Sequence, residues 1–153
     1  MDKVETIKSI INEILAHMGV KTQVEIKAKE PVSFEIEMQG DNLNFLIGYR
    51  GQSLDALQDL LSHIYFKKTN EWPDILLDIN GYTKERIERI QNIAKKFNDR
   101  VRFFQNEVEL PIMNPWERKH VHTLVGEYDD VESESRGDGR NRRLYLKPKK
   151  RGD

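Results

Sequence analysis

Two short motifs carry residue types that could do chemistry. The first is Gly48-Tyr49-Arg50-Gly51, two glycines flanking an aromatic and a cation. Where such a loop joins two helices, its backbone N–H groups and the N-terminus of the second helix can face an anion. The absence of Cβ atoms lets a sugar-phosphate chain approach closely. The second is Arg118-Lys119-His120-Val121-His122. On a helix, Arg118 and His122 are four apart and project from one face, with Val121, Leu124 and Val125 on the other. Arginine binds phosphate bidentately and stacks on bases. Histidine donates a hydrogen bond or stacks, and need not be charged to do either. Taken alone, the glycines equally suit a plain helix–turn–helix joint, and the Arg/His pair a solvated helix face.

Charge favours a polyanionic partner for the second half. The net charge of −1 averages two unlike parts, −5 over residues 1–80 and +4 over 81–153. The end of the chain is the extreme case. Arg136, Arg140, Arg142, Arg143, Lys147, Lys149, Lys150 and Arg151 stand there against Asp138 and Asp153. For the last five residues a solvated basic tail is the simpler expectation.

The positioning elements follow from periodicity. Val4, Ile7, Ile11, Ile14 and Met18 predict a first helix, with Asp2 as its cap and Gly19 as its stop. Val24–Ala28 and Val32–Met38 alternate as two strands. A short apolar piece, Leu43–Ile47, leads into the glycine loop. A helix capped by Ser53 follows, its core face formed by Leu54, Leu57, Leu61 and Ile64, with Leu60 and Tyr65 beside them. Ile75, Leu77 and Ile79 predict a third strand. A long helix capped by Thr83 comes next, with Ile87, Ile90, Ala94, Phe97, Val101 and Phe104 as its stripe. Glu107–Ile112 reads as a strand. Asn114-Pro115-Trp116-Glu117 is a helix start with Asn as cap, Pro first and Glu third. Val131–Ser135 and Arg142–Lys147 predict a hairpin. The fold class is α+β, with two small α/β domains, 1–80 and 81–153.

Several function classes find no support in these residues. No apolar run approaches the roughly 18–20 residues that span a bilayer, and no secretory signal opens the chain. Membrane insertion is therefore not expected, and a cytoplasmic location is. With no cysteine, disulfides and thiolate metal sites are excluded. His120 and His122 are two apart, so on a helix they diverge and do not share an ion; no cofactor or metal is expected. No nucleophile–base set or Walker loop appears, and an enzyme is not expected.

Leu46-Ile47-Gly48-Tyr49-Arg50-Gly51-Gln52-Ser53-Leu54-Asp55-Ala56-Leu57 resembles the signature of a type II KH domain, and the order of elements around it agrees. The resemblance implies a three-stranded sheet with helices on one face, and a loop that clamps about four nucleotides. It implies contacts from Gly48, Tyr49, Arg50 and Gly51, above an apolar groove floor from Ile47 and Leu54. Family members usually carry two basic residues between the glycines; here the first is Tyr49, which either stacks on a base or lowers affinity. Residues 114–122, with Ser135-Arg136-Gly137 and Asn141-Arg142-Arg143, resemble the Arg-x-x-x-His domain, named for an Arg and a His separated by three residues. That resemblance implies a small three-stranded sheet packed on helices and a single-stranded nucleic-acid site at Arg118 and His122, with Arg142 or Arg143 on the neighbouring strand.

The tandem resembles the Jag (SpoIIIJ-associated) family over essentially the whole chain. Family members commonly carry a further N-terminal domain and linker, so this is either a short member or a trimmed chain. The implied partner is single-stranded RNA, with single-stranded DNA, a second small KH protein and a homodimer also open. The rival expectation is a protein-interaction adaptor linked to cell-envelope or sporulation processes.

Overall fold

The computed structural model describes residues 2–150; Met1 and 151–153, with Arg151 of the basic tail, lie outside the described residues. The chain divides into two compact units between Lys84 and Glu85.

The first unit opens with α1 (Lys3–His17). The Asp2 carboxylate accepts the Val4 N–H, and Gly19 ends the helix at φ +69°. Val20 donates to Leu15 C=O and Gly19 to Ala16 C=O, the paired closure that a left-handed glycine permits. Strands β1 (Gln23–Lys29) and β2 (Ser33–Gln39) are antiparallel, and β3 (Asp74–Ile79) runs parallel to β2, giving the sheet order β1-β2-β3. Alternation along β2 buries Phe34, Ile36 and Met38 against α1 and α3, while Glu35 and Glu37 take the other face. The crossover from β2 to β3 is made of α2 (Asn44–Ile47), a 3-10 turn at Tyr49–Gly51 and α3 (Gln52–Thr69).

Two details of α3 differ from the periodicity. It begins at Gln52 with Gly51 as N-cap, so Ser53 lies inside its first turn and does not cap it. Leu60 is exposed, because the core face is spent on Leu54, Leu57, Leu61 and Tyr65.

Helix α4 (Tyr82–Phe104) starts one residue before its predicted cap. Asp78 Oδ1 accepts the Thr83 N–H at 2.9 Å, and the Thr83 hydroxyl donates to Leu77 C=O at 2.6 Å. These bonds, with the Lys84–Glu37 ion pair, tie the first turn of α4 to the first unit.

The second unit contains the rest of α4, β4 (Val108–Glu109), α5 (Pro115–Gly126), β5 (Val131–Arg136) and β6 (Arg143–Pro148), in the sheet order β4-β6-β5. The strand predicted over Glu107–Ile112 is short. Beyond Glu109 only Leu110 continues the ladder, donating to Leu144 C=O, before Pro111 supplies no N–H. Its core joins Ile90, Ala94, Phe97 and Val101 of α4 to Val121 and Val125 of α5 and Leu144 and Leu146 of β6. Phe104 leaves the predicted stripe and is exposed.

Candidate nucleic-acid interface

The glycine loop is held from both sides. At the exit of β2, Asn80 Oδ1 accepts the Gly40 N–H and Asn80 Nδ2 donates to Gly40 C=O, fixing where the chain enters α2. Behind the loop, Gln58 of α3 accepts the Leu77 N–H of β3, so the helix that follows the loop is tied to the sheet edge.

Inside the loop, Gly48, Arg50 and Gly51 take φ of 70°, 52° and 78°. A side chain on Gly48 would place Cβ 2.2 Å from Ser53 Oγ and 3.0 Å from its backbone N. Glycine is required there on both counts. With Gly51 as a left-handed N-cap, no side chain caps α3. The Gln52 N–H donates to Tyr49 C=O, and the positive end of the α3 dipole lies beside the loop.

Tyr49 is 71% exposed, and the Arg50 guanidinium lies 5.3 Å from its ring centroid. The loop therefore offers one cation and one aromatic face to solvent, at the positive end of the α3 dipole. Ile47 is half-buried beside them. Leu54 is 1% exposed and belongs to the core, so it supports α3 from below and forms no surface floor. Phe45 of α2, just before the loop, is 57% exposed, which the apolar pattern concealed.

In the second unit the capping box at Asn114 forms as expected. Asn114 Oδ1 accepts the Glu117 N–H at 2.8 Å, and the Glu117 carboxylate accepts the Asn114 N–H in return. This orients α5. Arg118 is half-buried and reaches back to the chain: Nη1 donates to Met113 C=O at 2.6 Å and to Arg142 C=O at 3.5 Å. Arg142 in turn donates to Gly137 C=O at 2.9 Å, closing the turn between β5 and β6. His122 is exposed, and its Nδ1 is hydrogen-bonded with Ser133 Oγ of β5. Ser133 was not among the expected residues; its place on the helix-facing side of β5 follows only from the strand register.

That register separates Arg142 from Arg143. Residues paired across the sheet share a face, so Arg143, Tyr145 and Lys147 lie with Arg136, Glu134 and Glu132, opposite the face of Leu144, Leu146 and Ser133. The cations of this outer face are engaged. Arg143 donates to Glu109 at 2.5 Å. Arg136 bridges Glu107 and Glu134 and lies 4.4 Å over the Tyr145 ring. Lys147 meets Glu132 and Glu134. Hydrogen bonds from Arg136 and then Lys147 hold the Glu134 carboxyl far below its ordinary range, at about 2. The structure thus brings Arg118 and Arg142 together, sets His122 beside β5, and places Arg143 on the other side of the sheet.

His120 does not join His122. Its ring stacks on Trp116 at 4.1 Å, and the buried Arg86 guanidinium lies 3.9 Å from the Trp116 ring centroid. Burial, reinforced by the Arg86 and Lys119 cations, lowers the His120 pKa. Among the described residues no three His, Asp or Glu side chains gather as a metal site, and no helix is long and apolar enough to cross a membrane.

Two family models match the chain. Residues 4–74 match the KH domain of KhpA/KhpB, and residues 88–148 match the Arg-x-x-x-His domain. Similar proteins include RNA-binding protein KhpB of Clostridium symbiosum, 31% identical over 88% of this chain and 60% of that protein. Its counterpart in Bacillus subtilis (strain 168) is 27% identical over 98% of this chain and 73% of that protein. The one in Streptococcus pneumoniae (serotype 2, strain D39) is 28% identical over 94% of this chain and 47% of that protein. The chain thus spans between about half and three quarters of the length of these relatives. One model on each half, in the same order as the two units of the fold, shows that the chain belongs to the Jag/KhpB family, a KhpA/KhpB-type KH domain followed by an Arg-x-x-x-His domain.

Proposed function

We propose that the chain binds single-stranded RNA, with the glycine loop of the first unit as its principal contact and Arg118, Arg142 and His122 of the second as a further one. The observation that carries this reading is the loop itself. Three residues in the left-handed region, an α3 N-terminus with no side-chain cap, and exposed Tyr49 and Arg50 together suit a sugar-phosphate chain passing Gly48–Gly51. Tyr49, where a second basic residue is usual, supplies a ring on which a base stacks. The relatives named RNA-binding proteins support the same ligand class. On this reading the role is that of a bacterial cytoplasmic RNA-binding regulator or chaperone-like protein rather than an enzyme. Because KhpA and KhpB share the KH model that matches residues 4–74, a second small KH protein fits as a partner.

Fluorescence anisotropy with a short unstructured RNA tests the reading. Each phosphate neutralised on a single strand contributes about −0.7 to the slope of log K against log salt, so about three to five contacts give a slope of about −2 to −3.5. Replacing Tyr49 and Arg50 by Asp is expected to weaken binding by at least about tenfold, as a lost stacked base and phosphate contact would, with an unchanged circular dichroism spectrum. Affinity within twofold of the parent would remove the loop as the site. Absence of binding even at low salt would favour a protein-interaction adaptor.

A further inference from the structure

The second half of α4 carries aromatics that its core does not use. Ile90, Ala94, Phe97 and Val101 fill the buried stripe. Phe103 and Phe104, just past the end of that stripe, are 81% and 62% exposed, and their rings meet edge to face at 4.9 Å. Single exposed apolar side chains are ordinary on a protein surface. Two large rings in contact form a patch that asks for an occupant.

The helix period sets cations beside the rings. Lys96, Arg100 and Phe104 follow one another at four-residue spacing, and Lys95, Asp99 and Phe103 form the adjacent row. The Arg100 guanidinium and Lys96 ammonium lie 5.1 Å and 6.0 Å from the Phe97 ring centroid, so their stems lie along the helix while their residues stay exposed. Among the described residues no ion pair engages Lys95, Lys96 or Arg100, in contrast to Arg102, which binds Asp130 through two nitrogens at 2.6 Å and 2.9 Å. Asp99 lies in the row of Lys95, and Glu85 and Glu88 line the same surface depression as Lys96, yet no ion pair among the described residues holds these three cations.

We propose that the outer face of α4, Phe103 and Phe104 with Lys96 and Arg100, is an additional contact surface for single-stranded RNA. The inference rests on the RNA-binding reading above and adds a site to it. Bases stack on the two rings and the intervening phosphates meet the cations. Stacking of this kind tolerates any base, since every base has a π-face, so the surface extends the footprint without adding sequence preference. The composition favours a nucleic acid over a protein partner. Rings and Arg occur at protein interfaces as well, but Lys is depleted there, and rings among cations without ion pairs are what single-strand platforms are made of.

The test compares two fluorescein-labelled oligouridines by anisotropy, one of about five nucleotides, enough for the roughly four held by a KH loop, and one of about twenty, long enough for several contact surfaces. The F103A/F104A variant is expected to bind the long RNA about tenfold more weakly, the size of a lost base stack, and the short RNA within twofold of the parent. The K96E/R100E variant should show the same selective loss, with a salt slope shallower by about 0.7 for each phosphate contact removed. It decides the matter if the alanine variant changes the circular dichroism spectrum. Unchanged long-RNA affinity in F103A/F104A, alongside lost binding when Tyr49 and Arg50 are replaced by Asp, would overturn this surface and leave the loop standing. No RNA binding by the parent would overturn both. A change in oligomeric state by light scattering, with RNA affinity intact, would assign the rings to a contact between copies and overturn the proposal.

Discussion

The glycine loop and the outer face of the second sheet make opposite use of charge. The loop has a single cation between its glycines, in the half of the chain that is net acidic, yet Tyr49 and Arg50 stand exposed beside the uncapped start of α3. The second sheet carries Arg136, Arg143 and Lys147 in the half that is net basic, and Glu107, Glu109, Glu132 and Glu134 engage all three. Formal charge is thus a poor guide to which surface can receive a polyanion. Phosphate must compete with carboxylates already in place on the sheet, whereas at the loop it meets the positive end of the α3 dipole and glycines that let a sugar-phosphate chain approach closely.

That contrast can be broken most sharply at Gly48. Gly48→Ala removes no charge, but its Cβ would meet Ser53 and its backbone would hold an unfavourable φ. RNA affinity by anisotropy should fall about tenfold, comparable to losing one good contact, with far-ultraviolet circular dichroism unchanged. A loss of less than twofold would show that loop shape matters little.

Arg118 tests whether a site residue of the second unit is also structural. Arg118→Ala leaves Met113 C=O and Arg142 C=O without their guanidinium donor, which should cost about 1–3 kcal/mol. The chain has two tryptophans, Trp72 in the first unit and Trp116 in the second. In a Trp72→Phe background, Trp116 fluorescence in urea should report that loss as an earlier transition. An unmoved midpoint would make Arg118 purely a surface group.

A smaller effect is expected from Arg143→Gln. It removes a full cation, but one held by Glu109 and on the far side of the sheet from His122, so RNA affinity should change by less than about twofold, in the range of a surface charge already paired. A fivefold loss would put RNA on the outer sheet face and erase the contrast.

The last expectation concerns pH alone. Glu134 has its folded pKa depressed to about 2. Its contribution is therefore present above the ordinary carboxylate range and lost as pH falls from about 4.5 toward 2. Glu134→Gln should lower the Trp116-reported midpoint near neutrality, where the contribution is fully present, and flatten its fall with pH within that window. An identical profile in parent and variant would show that the network adds nothing.

Much was legible in the chain itself. The period-two runs at Val24–Ala28 and Val32–Met38, the period-3.6 stripes of α1 and α3, and the Asn114-Pro115-Trp116-Glu117 start of α5 are local patterns. Each element forms because its own residues agree with it, and the sequence alone determines them. The glycine loop was equally legible, since positive φ at Gly48 and Gly51 is a property of residue type. Tertiary structure decided what no spacing encodes. Leu60 and Phe104 went to solvent, although both continue apolar stripes, because neighbouring helices and strands set the width of the buried face. Arg142 was drawn toward Gly137 and Arg143 toward Glu109, because strand pairing sends adjacent residues to opposite faces. The availability of each cation depends on carboxylates tens of residues away, such as Glu107 for Arg136, and only the folded chain brings them within reach.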